Sequence, residues 1–286
     1  MKLFLLGGFL GSGKTTAIQQ AARYLQQTGK KVGVVTNDQG DQLVDTRFLQ
    51  QEDVDVEEVT GSCFCCNFRQ FAESIRSLQV KNFPDVVFAE SVGSCTDLVA
   101  TVMKPLLAYD NSIDTVLSVF ADVRLLCTYL LMDGNIFNGN MNYVYQKQLE
   151  EADLIVVNKT DTLTEEQLSA AKVLINDAYP LHKILFQDSL DAADIQQWLE
   201  LGFAYEAATP RKSLEINYDE YAAGEAEMAW YDSEVTITTP DNTAQEASQK
   251  LISGIYSRLL ELKCLIGHLK FMVRSKQEQV KVSFTA

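Results

Sequence analysis

The sequence predicts an α/β fold in which helices cover both faces of a mostly parallel sheet, followed by a small C-terminal α+β appendage. Three observations predict this fold class. Continuous apolar runs of strand length alternate with helical patterns up to about residue 200, as is typical of parallel strands buried on both faces. A glycine-rich stretch directly follows the first apolar run, and the alternation stops near residue 205.

Seven strands and seven helices are expected within this alternation, because a buried strand needs only four to eight apolar residues. The predicted strands are 2–8, 31–37, 54–60, 84–91, 115–122, 153–159 and 183–189. The predicted helices are 15–27, 68–78, 97–107, 123–131, 142–151, 164–178 and 191–200. Connections between parallel strands should be right-handed, and ligands should bind at the carboxyl ends of the strands.

The chain is expected to divide into three parts. Residues 1–205 form the large α/β domain, residues 206–226 form a polar, turn-rich linker, and residues 227–286 form the small α+β domain. The elements predicted within the small domain are a strand over 234–239, a helix over 243–263, and strands over 268–273 and 280–285.

The charge and the apolar runs of the sequence indicate which kinds of molecule the protein is not expected to bind. The 286 residues include 24 Lys and Arg against 39 Asp and Glu, which gives a formal net charge of −15. Nucleic acids and anionic membranes reward basic surfaces, so neither is expected as a partner. No apolar run approaches the roughly 18 residues of a membrane helix. Gly7 and Gly8 also interrupt the first run too early for a secretory signal, so a cytoplasmic location with reduced cysteines is expected.

The stretch GGFLGSGKTT at residues 7–16 has the spacing of a phosphate-binding loop. Gly8 is followed by four residues and then by Gly13, Lys14 and Thr15, between a strand pattern and a helical pattern, which predicts a P-loop NTPase. The glycines let backbone N–H groups face phosphates, and the helix N-terminus adds positive partial charge. Lys14 should reach the β- and γ-phosphates and the Thr15 hydroxyl should bind Mg²⁺; the alternative is a turn that binds nothing. The nucleotide-binding residues expected in this loop are Gly8, Gly11, Ser12, Gly13, Lys14, Thr15 and Thr16.

The stretch NKTD at residues 158–161 follows a later apolar run and predicts which base is bound. Asp161 can accept hydrogen bonds from the N1–H and 2-amino groups of guanine, which adenine does not offer. Charge-assisted bonds of this type contribute roughly 1.5–3 kcal/mol each, enough to favour GTP and GDP over ATP. Asn158 should contact the base and hold the loop, and the Lys159 stem should cover the ring face. The alternative interpretation is a surface turn.

Acidic residues follow two other predicted strands. Glu90 ends an apolar strand, and Asp38 leaves the second one, so both are expected to bind Mg²⁺ or to orient the attacking water. Gly93 would allow a close backbone approach to the γ-phosphate. The segment that begins at Asp38 could become ordered on GTP and relax on hydrolysis. A solvated acidic loop is the alternative for Asp38, Asp41 and Asp45.

Three cysteines lie within four residues, in GSCFCCN at 61–67. Cys63, Cys65 and Cys66 suit a thiophilic ion such as Zn²⁺ or Cu⁺, and Co²⁺ and Ni²⁺ also bind such sites. Three thiolates leave a tetrahedral ion one ligand short, and Cys95, water or a partner protein could supply the fourth. The alternatives are buried free thiols and redox thiols. The other cysteines, Cys127 and Cys264, are predicted to lie in the core. The two histidines, His182 and His268, are predicted to be surface or packing residues rather than metal ligands.

With these motifs in this order, the chain resembles the CobW/HypB/UreG class of P-loop GTPases, and its CobW-like branch in particular. The resemblance runs through most of residues 3–200 and includes GGFLGSGKTT, NDQGDQLVD, GSCFCC, ESVG, QLEEAD and NKTD. It implies a GTPase that delivers a metal or assembles a metallocofactor, typically with Zn²⁺, Co²⁺, Ni²⁺ or a corrinoid client. The chain has no His-rich tract of the kind many members carry, and its C-terminal part is short for the family's appended domain.

The function expected from the sequence is a Mg²⁺-dependent GTPase that acts as a metallochaperone or metallocofactor-insertion protein. Lys14, Asp38 and Glu90 are the expected catalytic residues, and the GTP state is expected to control metal binding at the cysteines. Turnover should be slow until a client metalloprotein, a cofactor-assembly enzyme or a second copy of the chain in a homodimer supplies missing groups. The alternatives are a zinc-binding regulatory module with a weak nucleotide switch and a small-molecule P-loop kinase.

Overall fold

Seven parallel strands form one sheet in the order β3-β2-β4-β1-β5-β6-β7, which confirms the predicted fold class. The computed structural model describes residues 1–38, 54–60, 63–137, 139–207, 211–228, 231, 233–240, 243–262, 266–275 and 279–284. The strands are β1 Lys2–Gly7, β2 Val32–Asp38, β3 Asp55–Thr60, β4 Val86–Glu90, β5 Asp114–Asp122, β6 Leu154–Asn158 and β7 Lys183–Gln187. Each lies within one residue of the apolar run that predicts it or inside that run.

Helices follow the strands and cover both faces of the sheet. Their bounds are α1 Lys14–Gln27, α2 Phe68–Asn82, α3 Lys104–Tyr109, α4 Val123–Leu131, α5 Met141–Glu150, α6 Glu165–Ala178, α7 Ala192–Phe203, α8 Tyr218–Ala226 and α9 Ala244–Glu261. A π-helical turn, Val99–Met103, leads into α3. Apolar residues of α1 and α7 fill the core on one face of the sheet, and those of α2, α4, α5 and α6 fill the core on the other.

The parallel register brings the functional motifs to one edge of the sheet. Leu6 at the end of β1 lies opposite Glu90 in β4, and Asp122 in β5 lies opposite Asn158 in β6. The last residue of β2, Asp38, pairs with the last residue of β3. The loops that follow β1, β2, β3, β4 and β6 therefore start from the same carboxyl edge, as expected for ligand binding in an open parallel sheet.

The C-terminal region differs from its prediction in one element. The predicted strand over 234–239 is absent: the described residues 233–240 form no strand and are mostly exposed. An alternating sequence becomes a strand only where another strand accepts its hydrogen bonds, and the small sheet pairs β8 (Leu269–Arg274) only with β9 (Gln279–Phe284). The appendage therefore consists of α9 and an antiparallel hairpin. Cys264 lies outside the described residues.

Part of the predicted linker is helical. Residues 218–226 form α8, which packs against α5 so closely that a Cβ on Gly224 would lie 2.7 Å from the Asn140 carbonyl oxygen and from the Val144 side chain. The boundaries at 205 and 227 stay predictions. Over the described ranges, no helix combines the length and apolar character that a membrane span requires.

Candidate functional site

The loop between β1 and α1 is shaped by three glycines in left-handed conformations. The φ angles are 117° at Gly8, 73° at Gly11 and 95° at Gly13. A Cβ on Gly8 would lie 2.1 Å from the Phe120 carbonyl oxygen, and a Cβ on Gly13 would lie 2.2 Å from the Asn158 amide nitrogen. Other residues would be strained in φ and would collide with these neighbours. The spacing of glycines in the sequence therefore corresponds to backbone turns that only glycine fits.

Lys14 and Thr15 begin α1 inside this loop. The Lys14 Nζ donates hydrogen bonds to the carbonyl oxygens of Gly8 at 2.6 Å and Phe9 at 3.2 Å, so the buried ammonium lies within the loop. The Ser12 hydroxyl donates to the Phe9 carbonyl oxygen at 2.8 Å and closes the same turn. Positive charge from the lysine and from the helix N-terminus meets here, which is the electrostatic requirement for binding a polyphosphate.

The structure brings Thr15 and Glu90 together. The Thr15 hydroxyl donates to Glu90 Oε1 at 2.9 Å, although 75 positions separate the two residues. Glu90 is buried at the carboxyl end of β4. A hydroxyl and a carboxylate in contact provide the hard oxygen ligands that Mg²⁺ prefers. The Asp38 backbone ends β2 beside β4, while its side chain, Asp41 and Asp45 lie outside the described residues.

Asn158 connects the phosphate-binding loop to the loop after β7. Its amide nitrogen donates to the Ser12 carbonyl oxygen at 2.8 Å, and its Oδ1 accepts from the backbone N–H of Ser189 at 3.1 Å and the Ser189 hydroxyl at 2.8 Å. The side chain is buried. These contacts support the loop-holding part of the role that the sequence assigns to Asn158.

Lys159 and Asp161, in the same motif as Asn158, are less buried than the asparagine. Lys159 has a φ of 65°, and its Nζ forms a 2.9 Å ion pair with Asp122 Oδ2. Asp122 Oδ1 also accepts from the backbone N–H of Arg124 at 2.9 Å and so caps α4. Asp161 is exposed in the short helical turn that follows. Asp122 therefore fixes the Lys159 stem next to an accessible carboxylate, a role that its position at the end of β5 could have indicated.

The thiols of Cys63, Cys65 and Cys66 form a cluster, and with the neighbouring Cys95 thiol we call it the cysteine centre. The sulfur atoms are 2.7 Å apart for Cys63 and Cys65 and 3.9 Å apart for Cys65 and Cys66. All three lie within 4.8 Å of one another, a separation that one metal ion can bridge. Cys95 is fully buried and affects the pKa of the thiols of Cys63 and Cys65, whereas Cys66 is exposed.

Hydrogen bonding shifts the pKa values of the thiols in the cysteine centre in opposite directions. Hydrogen bonds from Cys65 and Cys95 lower the pKa of the Cys63 thiol. The same hydrogen bonding to Cys63 raises the pKa of the thiols of Cys65, Cys66 and Cys95. Cys63 is thus the thiol of the centre that loses its proton most readily, and thiolates rather than thiols bind metal ions. A divalent ion would release the remaining protons as it binds.

Asn37 connects the end of β2 to the cysteine centre. Its Oδ1 accepts a 3.1 Å hydrogen bond from the backbone N–H of Phe64, the residue between Cys63 and Cys65. Its amide nitrogen donates to the Val59 carbonyl oxygen at 3.1 Å. Because Asn37 immediately precedes Asp38, a shift at the end of β2 would move the cysteine loop. The sequence motif contains this asparagine but does not indicate its partner.

The segment after β4 connects the same two regions from the other side. A Cβ on Gly93 would lie 2.5 Å from the Leu10 side chain and 2.9 Å from its backbone nitrogen, so this glycine contacts the phosphate-binding loop. The buried Gln148 of α5 donates 2.9 Å hydrogen bonds to the carbonyl oxygens of Gly93 and Cys95. Residues 90–95 therefore contact the Thr15 hydroxyl, the phosphate-binding loop and the thiols in succession. Sequence reasoning missed this role of Gln148.

Comparisons with known proteins agree with this geometry. Residues 2–186, more than half of the chain, match the family described as CobW/HypB/UreG, nucleotide-binding domain. The chain is 28% identical over 191 residues to the Zinc chaperone CobW of Sinorhizobium sp, covering 59% of this chain and 53% of that protein. It is 28% identical over 211 residues to the Zinc-regulated GTPase metalloprotein activator 1 of Schizosaccharomyces pombe, covering 69% and 48%. The chain spans about half the length of these curated relatives.

The fold is also similar to that of a solved structure. The crystal structure of HypB from Helicobacter pylori in complex with nickel superposes with a TM-score of 0.51 at 18% sequence identity, over 72% of this chain and 89% of that one. At this identity the similarity concerns the fold.

Proposed function

The chain belongs to the CobW/HypB/UreG family of nucleotide-binding proteins, and from this premise we propose that it is a Mg²⁺-dependent GTPase that carries a thiophilic metal ion. Its client would be a metalloprotein or a cofactor-assembly enzyme. The observation that carries the proposal is the continuity of residues 90–95, which reach from the Thr15 hydroxyl to the thiol of Cys95. A nucleotide site and a thiol site joined by six residues suit a protein in which one ligand controls the other.

The phosphate end of GTP is assigned to the loop between β1 and α1. The Lys14 ammonium, now bonded to carbonyl oxygens of the loop, is placed to exchange these partners for the β- and γ-phosphates. Thr15, Glu90 and Asp38 are the proposed Mg²⁺ ligands, directly or through water. Hydrolysis is an attack of water on the γ-phosphate, and these groups contribute by positioning and by stabilising developing charge. The proposed backbone contacts are those of Gly8, Gly11, Ser12, Gly13, Lys14, Thr15 and Thr16.

The guanine end is assigned to residues 158–161. Asp161 is exposed and able to accept from the guanine N1–H and 2-amino groups. The Lys159 stem, fixed by its ion pair with Asp122, would cover the ring face. Asn158 supports the loop from below through Ser12 and Ser189. Substituting Asp161→Asn should shift preference from guanosine to xanthosine nucleotides, because one acceptor becomes a donor.

The metal ion, as cargo, is assigned to the cysteine centre. Cys63, Cys65 and Cys66 offer three close thiols, and Cys95 is a fully buried fourth thiol that interacts electrostatically with Cys63 and Cys65. Thiolate donors favour Zn²⁺ and accept Co²⁺ and Ni²⁺. Two relatives whose names contain zinc support Zn²⁺ as the ion carried here. The exposed Cys66 gives a client access to the ion.

The two sites are proposed to be coupled. GTP with Mg²⁺ would fix the positions of Asp38 and Glu90. Two connections would carry this change of position to the thiols: the hydrogen bond from the Phe64 N–H to Asn37, and the segment 90–95. Couplings of this kind are typically about 1–3 kcal/mol, or roughly 5–150-fold in affinity. Because coupling is reciprocal, the metal ion should favour GTP over GDP by the same factor.

A Co²⁺ titration of the purified chain tests the proposal. Thiolate-to-cobalt charge transfer is followed without nucleotide, with GDP and with a non-hydrolysable GTP analogue, and GTP and ATP hydrolysis are measured in parallel. We expect Mg²⁺-dependent turnover of GTP but not ATP, and the tightest cobalt binding with the GTP analogue. Equal turnover of the two nucleotides contradicts the guanine assignment, and equal cobalt affinity in the three states contradicts the coupling.

A further inference from the structure

A pocket outside the nucleotide and cysteine sites lies where the C-terminal ends of α4, α5 and α6 meet. Its volume is about 580 Å³, within the range of roughly 300–1,000 Å³ that is typical of ligand pockets. No residue assigned to GTP, Mg²⁺ or the metal ion is among its described lining residues. We call it the helix-end pocket, and its aromatic and acidic lining residues are Tyr129, Asp133, Glu150, Tyr179 and His182.

The helix-end pocket is separated from the two sites by the direction of its helices. Both α4 and α6 follow strands that end at the carboxyl edge of the sheet, and both helices run back from that edge. Their C-terminal ends therefore lie away from the loops that carry the nucleotide and cysteine motifs. A molecule bound in this pocket leaves the carboxyl edge uncovered.

Three aromatic rings form part of the pocket wall. Tyr179 and His182 pack edge to face with their ring centroids 5.7 Å apart, and Tyr129 packs edge to face on the buried Tyr145 at 5.0 Å. These contacts fix the orientation of the rings. The face of an aromatic ring attracts a cation, and the attraction grows as water is excluded. The wall therefore suits an ammonium or a guanidinium group.

The pocket also carries negative charge. Asp133 and Glu150 line it, whereas its described lining contains no lysine or arginine. Glu150 Oε2 forms a 2.7 Å ion pair with Lys147, which lies outside the lining, so the charge of Glu150 is largely balanced. Asp133 is exposed and supplies the negative charge that a bound cation would meet.

A left-handed turn holds Asp133 beside the Tyr129 ring. The φ angles are 50° at Asp133 and 80° at Gly134. The Gly134 N–H donates a 2.9 Å hydrogen bond to the Tyr129 carbonyl oxygen, and a Cβ on Gly134 would lie 3.2 Å from the Tyr129 hydroxyl oxygen. The turn is therefore packed against the phenol. Left-handed conformations are uncommon for residues other than glycine and occur preferentially at functional sites.

Large apolar side chains are exposed around the pocket. Leu131 and Met132 lie in the chain between the lining residues Leu130 and Asp133, and Leu181 belongs to the lining itself. The exposed fractions are 73% for Leu131, 52% for Met132 and 95% for Leu181. A small cation would leave these side chains in water, whereas a protein segment would cover them. Apolar exposure of this kind marks interaction sites.

We infer that the helix-end pocket binds a lysine or arginine side chain of a partner protein. The cationic group lies beside Asp133 and against the aromatic rings, the apolar stem fills the pocket, and the neighbouring residues of the partner cover the three exposed apolar side chains. The net charge of −15 favours the approach of such a basic segment. The inference does not depend on the proposed function, because the pocket shares no residue with either site.

The test is a peptide titration of the full chain labelled with 3-fluorotyrosine at its 11 tyrosines. The probe is acetyl-Leu-Arg-Leu-amide, and the matched neutral probe carries citrulline in place of arginine. Fluorine NMR signals are assigned with Tyr129→Phe and Tyr179→Phe. We expect the arginine peptide to shift both signals in a saturable way, and the citrulline peptide to bind at least about fivefold more weakly.

The variant Asp133→Asn tests the carboxylate. Asparagine adopts left-handed conformations readily, so the turn should be retained. The arginine peptide should bind about threefold to fivefold more weakly, as the loss of one partly exposed charge pair implies. The control is Asp177→Asn, which removes an exposed carboxylate of α6 that does not line the pocket, and it should behave as the wild type. Binding of the GTP analogue reports whether each variant is folded.

Three outcomes would overturn the inference. Equal affinity for the two peptides would show that the pocket does not recognise a cation. Equal weakening by Asp133→Asn and Asp177→Asn would show only a general attraction to an acidic chain. Butylguanidine is titrated in parallel, and binding as tight as that of the arginine peptide would assign the pocket to a small free cation instead of a protein segment. Should Asp133→Asn fail to fold, the comparison of the two peptides on the wild-type protein still decides.

Discussion

The phosphate-binding loop and the cysteine centre lie at the same edge of the sheet but are held in place differently. Within the loop, Lys14 bonds to the Gly8 carbonyl oxygen six positions away, and Asn158 adds a hydrogen bond to the Ser12 carbonyl oxygen from 146 positions away. The cysteine centre is held by partners remote in sequence. Asn37 reaches Phe64 across 27 positions, Gln148 reaches Cys95 across 53, and Glu225 reaches Ser94 across 131.

This difference bears on what each region can do. A loop held by its own backbone keeps its shape when neighbouring elements move, which suits the fixed chemistry of phosphate binding. A centre held by β2, α5 and α8 changes shape when any of these elements moves. A movement of these elements that accompanies nucleotide binding would therefore act mainly on the shape of the cysteine centre. Substitutions in the two regions should therefore have separable effects.

The largest separable effect is expected from Lys14→Ala. Removing the ammonium takes away charge that stabilises the γ-phosphate, so GTP turnover should fall by at least about 10²–10³-fold. Cobalt affinity measured without nucleotide should stay at the wild-type value. Turnover is measured by phosphate release, and Lys30→Ala, an exposed lysine just after α1, is the control. If Lys14→Ala also weakened cobalt binding in the absence of nucleotide, the claim that the two regions respond separately to substitution would be wrong.

The reverse experiment is Cys65→Ser. The Cys65 thiol is close to both other thiols of the cluster, so it is expected to bind the metal ion directly. Substituting a residue that only supports a ligand typically lowers metal affinity by roughly 10–100-fold, and the loss of Cys65 should weaken cobalt binding by more than that. GTP turnover without added metal should be unchanged. Cys127→Ser removes a partly buried thiol outside the centre and serves as the control. Titration and phosphate release on the same samples check both statements.

A smaller effect, confined to the coupling, is expected from Asn37→Ala. The substitution removes the hydrogen bond from the Phe64 N–H while leaving the thiols and the phosphate-binding loop in place. The ratio of cobalt affinities with the GTP analogue and with GDP should fall toward one, from a wild-type ratio of roughly 5–150. Asn37→Asp keeps the Oδ1 acceptor and should retain more of the ratio. An unchanged ratio in Asn37→Ala would show that the segment 90–95 transmits the signal alone.

The same contrast accounts for what the sequence could predict. The seven strands and the glycine turns follow from apolar runs and local spacing, and both depend on neighbours in the chain. The contact between Thr15 and Glu90, 75 positions apart, was predictable because both follow parallel strands that end at one edge.

Other features depend on partners that no local pattern specifies. The predicted strand over 234–239 has the right alternation, but in the described structure the small sheet consists of β8 and β9 alone. Asn37, Gln148 and Glu225 are ordinary polar residues until the fold shows what they face. The prediction of a linker over 206–226 failed to indicate α8 because that helix is stabilised by packing on α5 rather than by a strong apolar stripe.

Glu151, which holds residues 96–99 just after Cys95, gives the prediction with the smallest expected effect. Glu151 is almost completely buried at the end of α5, where it accepts a hydrogen bond from the Thr96 hydroxyl at 3.3 Å and one from the Val99 N–H at 3.4 Å. Burial, reinforced by the negative charge of Asp97, raises its pKa to about 8. Between the ordinary glutamate range and pH 8, the unfolded chain has lost this proton while the folded chain keeps it. The unfolded state therefore binds fewer protons, and stability should fall as pH rises through this window.

The substitution Glu151→Gln tests this. The amide of glutamine does not titrate, although its single oxygen can replace only one of the two acceptors, so the variant should lose part of the decline in stability between about pH 5 and pH 8. The measurement is the urea midpoint at several pH values, with Glu150→Gln, a partly exposed neighbour on α5, as the control. If both variants keep the wild-type dependence of the urea midpoint on pH, Glu151 is ionised in the folded protein. Residues 96–99 are then hydrogen-bonded to a charged carboxylate. A flattened slope in Glu151→Gln alone means that a neutral carboxylic acid holds residues 96–99 in the folded protein.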